Sequence, residues 1–184
     1  MSVKTKIVLI ALVLTLTGMS QLLLAASAKE LNSECTASLN TLYSGSPELK
    51  KLGAKSVGIL IFPKIKKAGF IVGGSGGEGC LQQAGKTTGY YQSAEGSVGL
   101  QAGVQWFGYA LFFLDNASMD ALLKSDKGWE VGAGPSLVVL DEGFGKSVTT
   151  ATLKEGVAAY IFGQKGLMAG IGIKGSKITK IEPK

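Results

Sequence analysis

No histidine and no arginine occur among the 184 residues; all 19 basic side chains are lysines. Without imidazole, neither a Ser-His-Asp nor a Cys-His nucleophile can be assembled, and the usual histidine-containing zinc and iron centres are excluded. Two cysteines cannot close a zinc site by themselves, so no metal is expected. Without guanidinium there is no planar fork to read guanine or phosphate bidentately, which argues against sequence-specific nucleic-acid recognition. Lysine remains available as a point charge.

Acidic residues are also few, 13 in all, and their placement is unpromising for catalysis. Asp141 and Glu142 are adjacent, so in an extended segment their carboxylates leave on opposite faces. Asp115, Asp120 and Glu130 surround a short helical pattern, where capping and solvation account for them. Gly74-Ser75-Gly76-Gly77-Glu78-Gly79 matches G-x-G-x-x-G, but the residues that follow look extended and open no helix to hold a pyrophosphate. Gly85-Lys86-Thr87 resembles the end of a phosphate-binding loop, yet Cys80 stands where its first glycine belongs. Neither catalytic residues nor a cofactor are assigned.

What the chain has in quantity is glycine, 27 residues, and apolar side chains, 46%. Residues 1–28 read as a targeting segment: Lys4 and Lys6 begin it, Ile7 to Leu16 form the apolar stretch, and Ala26-Ser27-Ala28 is a small-residue cleavage pattern. Cleavage near Ala28 leaves a periplasmic or secreted domain; an uncleaved anchor is the alternative. In such an oxidising compartment Cys35 and Cys80 are a candidate disulfide, two buried thiols being the other reading.

Leu31, Cys35, Leu39 and Leu42 recur at helical spacing between Lys29 and Tyr43. Ser46-Pro47-Glu48 starts a second, short helix ending near Gly53, with serine as cap and proline at the first position. From Val57 to Phe62 the pattern becomes a buried strand that Pro63 is expected to stop. Further strands are expected at Ala68 to Val72, Leu81 to Gln83, Thr87 to Gln92 and Ser97 to Leu114, with Gly73 to Gly79 as a turn or bulge. A helix capped by Asn116 interrupts them, Gly128 lying just past its end. Strands resume at Trp129 to Ala133, Ser136 to Leu140, Ser147 to Thr152, Gly156 to Phe162, Leu167 to Lys174 and Lys177 to Ile181. Gly175-Ser176 is expected to turn the last two into a hairpin that sets Ile173 opposite Ile178. Glycine inside strands suggests sharp bends or close backbone approach. The expected fold is a single α+β domain over 29–184: two N-terminal helices and one internal helix on a curved, mainly antiparallel sheet approaching a barrel. A transmembrane β-barrel fits poorly, because no aromatic girdles mark both strand ends.

Between Phe62 and Phe70, Lys64, Lys66 and Lys67 are interleaved with Ile65 and bracketed by the two phenylalanines. Ammonium groups meeting lipid phosphates while apolar groups enter the interface would suit an anionic membrane surface, at about 1 kcal/mol per lysine. A solvated turn with inward-facing phenylalanines is the plainer alternative.

Several strings, in order, resemble the SYLF domain family: Ser56 to Pro63, Lys67 to Phe70, Gly77 to Gly79, Gly85 to Tyr91, Gly96 to Gln101, Gly128 to Gly132 and Lys165 to Gly170. Together they span nearly all of residues 46–181. The resemblance implies a non-catalytic lipid-binding domain, with phosphoinositide binding described for eukaryotic relatives; their actin association is not expected of an exported chain. The resulting expectation is a cell-envelope protein that binds anionic phospholipid, with Lys64, Lys66, Lys67, Phe62 and Phe70 as contacts. A structural or stress-related envelope protein acting through protein partners is the alternative.

Overall fold

The computed structural model describes residues 27–133, 137–140, 156–166 and 173–183. Helix α1 spans Ala28–Gly45. Ser27 caps it, accepting a hydrogen bond from the Glu30 amide while the Glu30 carboxylate accepts one from the Ser27 amide. This reciprocal box satisfies two otherwise unpaired backbone donors. Burial follows the apolar stripe of Leu31, Cys35, Leu39 and Leu42. Ser46 ends the helix and caps the next, α2 (Pro47–Lys55), which buries Leu49 and Leu52.

Two long strands dominate the rest, β1 (Gly58–Gln83) and β2 (Lys86–Phe113), paired antiparallel along their length. Ala84 and Gly85, both at positive φ, make the tight turn between them. Helix α3 (Asn116–Leu123) follows, then β3 (Trp129–Glu130), β4 (Leu137–Leu140), β5 (Val157–Gly166) and β6 (Lys177–Ile181). The sheet order is β3-β6-β2-β5-β4, with β1 on β2; only β4 and β5 pair in parallel. The first half of β2 pairs with β6 and the second half with β5. The sheet curls until the two ends of β1 lie against each other, giving the α+β half-barrel.

Glycine permits that closure. A Cβ on Gly77 would strike the Lys64 carbonyl oxygen, one on Gly79 the Ile61 carbonyl oxygen, and one on Gly69 the backbone of Gly73. The run Gly73 to Gly79 is therefore strand rather than turn, and it is glycine-rich because backbone must pass over backbone.

Two apolar layers result. Inside the curl, Leu60, Phe62, Ile65, Tyr109, Leu111 and Phe113 pack with Met119 and Leu122 of α3 and with Trp129. Outside, α1 and α2 cover Ile59, Ile61, Ala110, Phe112, Ala158 and Tyr160. Each fully buried leucine, isoleucine or phenylalanine in these layers contributes roughly 1.5–3 kcal/mol relative to exposure. A disulfide between Cys35 and Cys80 fastens α1 to β1. Both cysteines are completely buried, and the bond fits a protein of an oxidising compartment.

Several local expectations change. Pro63 does not stop β1: it sits at a bulge, where Phe62 pairs with Tyr109 and Ile65 with Phe107, so its missing amide breaks no ladder that the bulge had not already opened. Asp115, not Asn116, caps α3, its carboxylate accepting from the Ser118 amide at 2.7 Å. Gly128 belongs to the turn before β3, at φ +92°. The final turn is centred on Lys174-Gly175, closed by a hydrogen bond from the Ser176 amide to the Ile173 carbonyl; Gly175 takes the left-handed position. The expected strand at Ser147 to Thr152, most of Leu167 to Lys174, and Asp141 and Glu142 lie outside the described residues.

Candidate functional site

The helix layer covers only part of the outer sheet face. From Val104 onward the even-numbered side chains of β2 point outward; Ala110 and Phe112 are buried beneath α1 and α2, whereas Trp106, further along the same face, is 37% exposed. Beside it on β2, Val104 is also exposed.

Strand parity explains what surrounds this ring. On β1, Ile59 and Ile61 face outward and Leu60 and Phe62 inward. Uninterrupted alternation would then turn Ile65 out and Lys64 and Lys66 in. The bulge at Pro63 adds one residue, reverses the parity, and places Lys64 and Lys66 outside and Ile65 in the core. Strand β5 does the same on the other side. Ala158 and Tyr160 face outward, then a register shift beside Gly163, at φ +62°, brings Lys165 opposite Trp106. Lys66, Trp106 and Lys165 thus form one row across three strands.

The ammonium groups of Lys64 and Lys66 stand 4.9 Å and 5.3 Å from the centre of the Trp106 ring. Each such contact is worth about 0.5–1 kcal/mol at an exposed position. The one salt bridge among the described residues, Lys124 to Asp120, lies elsewhere, so no described carboxylate neutralises these lysines. Like charges converge on an apolar ring that remains partly exposed.

Of the residues singled out from sequence, Lys64 and Lys66 are brought together. Phe62 is fully buried and stacks near Tyr109, with ring centres 4.7 Å apart; Lys67 is turned inward opposite Gln105 and is 7% exposed. The side chain of Phe70 lies outside the described residues. Trp106, Val104 and Lys165 were not singled out: Trp106 and Val104 fall within the strand expected from Ser97 to Leu114, but the neighbours of Trp106 across the sheet are set by two bulges. Inside the curl, a polar group accompanies Lys67. The Tyr109 hydroxyl donates to Ser93 at 2.7 Å, and the hydroxyls of Ser75 and Ser176 donate to Glu95. Burial pushes the Tyr109 phenol well above its ordinary range. No group of three histidine, cysteine, aspartate or glutamate residues that could hold a metal occurs among the described residues. No helix among them is long and apolar enough to cross a membrane.

The sequence is similar to Beta cell expansion factor A of Aeromonas veronii, 29% identical over 166 residues. The match covers 86% of this chain and 60% of that protein, so the chain spans less than two thirds of the relative's length. No family model matches the sequence.

Proposed function

We propose that this is a non-catalytic lipid-binding protein of the cell envelope, of the SYLF kind, which docks on anionic phospholipid through Lys64, Lys66 and Lys165 around Trp106. The observation that carries the reading is the exposed indole flanked by lysines on both neighbouring strands, with no described carboxylate paired to them. Indole favours the boundary between headgroups and acyl chains, and each ammonium gains about 1 kcal/mol beside an anionic leaflet. Lys67 and Phe62 support this face from within rather than touching lipid. The order of the SYLF-like strings and the buried disulfide support the family and an exported location, periplasmic or secreted after cleavage near Ala28.

Cosedimentation with vesicles tests it. The protein binds vesicles containing an anionic phospholipid, not neutral ones, and added salt weakens the binding. The Lys64→Glu, Lys66→Glu, Lys165→Glu variant, folded by circular dichroism, loses it. Equal binding of that variant would remove these lysines from the docking face.

A further inference from the structure

A cavity of about 530 Å³ opens where α1 and α2 meet the β1–β2 turn, at the end of the outer face away from Trp106. That volume is within the range of small-molecule sites. Leu39 and Tyr43 of α1, Ile59 of β1 and Ala84 of the turn give it apolar surface, while Thr36, Asn40, Ser56, Gln82 and Lys50 supply polar groups. Among the described residues lining it, only Lys50 carries a charge at neutral pH, and it is in no described salt bridge.

Three features suggest that the space is maintained. Ala84 is the sole non-glycine at positive φ among the described residues, at φ 48°. A turn with both central residues at positive φ favours asparagine, aspartate or glycine; alanine there is strained and presents a methyl group to the cavity. Gly53 is bare where any Cβ would strike the Tyr43 ring, so α2 leaves room for that wall to stand. The Cys35–Cys80 disulfide lies next to Thr36 and two residues before Gln82, joining opposite walls covalently. A site held open in this way requires little ordering on binding.

We propose that this cavity binds a small amphiphile with an apolar body and one anionic group, the anion pairing with Lys50 and the body lying against Leu39, Tyr43 and Ile59. A single cation at a half-open pocket of mixed polar and apolar lining, without a lining carboxylate, favours one negative charge over a cationic analogue. This site is separate from the Trp106 face and does not depend on membrane docking.

Calorimetric titration of the purified protein with decanoate, below its micellar concentration, tests the proposal. Decanoate binds in the wild type, and dodecyltrimethylammonium does not. Lys50→Gln, at an exposed position, weakens decanoate binding about tenfold, the loss of one charge-assisted contact. Thr36→Trp, which fills the cavity from an exposed helix position, abolishes binding. The Lys64→Glu, Lys66→Glu variant still binds decanoate, separating this site from the docking face. No decanoate binding by the wild type, or equal binding by wild type and Lys50→Gln, overturns the proposal.

Discussion

The carbonyl oxygen of Ile61 occupies the space that a Cβ on Gly79 would need, so the two ends of β1 touch backbone to backbone. Gly77 meets the Lys64 carbonyl in the same way. Gly79→Ala and Gly77→Ala are each expected to lower stability by about 1–3 kcal/mol, as overpacking does. Gly96→Ala, where a Cβ meets nothing within 4 Å, should stay within about 0.5 kcal/mol of the wild type. Urea unfolding of the three variants checks this.

The disulfide closes a 45-residue separation between α1 and β1. Cys35→Ala with Cys80→Ala should destabilise by up to about 4 kcal/mol, the chain-entropy value for a loop of that length. The loss should fall on the helix layer first: hydrogen exchange accelerates at Leu39, Leu49 and Leu52 before it does at Leu111 or Ala159 inside the sheet.

Burial raises the Tyr109 phenol above its usual value of 10.0; its hydrogen bond to Ser93 opposes this and the charge of Glu95 adds to it. The folded protein therefore holds the phenolic proton more tightly than the unfolded chain does. The associated stability is complete below about pH 10 and is lost progressively as pH rises toward the folded value. Tyr109→Phe should cost roughly 1 kcal/mol at neutral pH through the lost hydrogen bond, and should flatten the alkaline part of the stability profile. Tyr43 and Tyr91, raised by burial to a lesser degree, leave a residual slope.

Glu30 is held below the ordinary carboxylate value, chiefly by its hydrogen bond from the Ser27 amide and then by the Ser27 hydroxyl. Its contribution to the cap is present above that ordinary value and is lost as pH falls through the lowered one. A chain beginning at Lys29, as cleavage after Ala28 would leave it, lacks Ser27 and so lacks the capping box. That chain should lose about 1 kcal/mol of capping in the first turn of α1. Carboxyl titration by NMR should find Glu30 below its ordinary value in a chain that keeps Ser27, and Ser27→Ala should raise it.

The helices were legible because their signals are local: the apolar spacing of α1 and the Ser46-Pro47 start of α2 each depend on a few consecutive residues. The α+β class and the curved sheet were legible from strand-like runs and interior glycines. The continuity of β1 was not, because Pro63 and the run Gly73 to Gly79 look like breaks until a partner strand supplies the ladder around them. The proposed docking face was half legible. Lys64 and Lys66 sit in one basic segment, but Trp106 and Lys165 join them only through pairing across β1, β2 and β5, with both flanking strands bulged. Reading Phe62 as an exposed contact failed for the same reason, since its face depends on a parity that reverses one residue later.

Trp106 can report on the proposed docking, because the second tryptophan, Trp129, is buried against Phe113 and already shielded from water. In a Trp129→Phe background, emission from Trp106 is followed as vesicles are added. With anionic phospholipid at low salt, the emission should shift to shorter wavelength and be quenched by brominated acyl chains, and Lys64→Glu with Lys66→Glu should abolish both effects. Emission that stays unchanged with anionic vesicles, or responds equally to neutral ones, would contradict docking through this face.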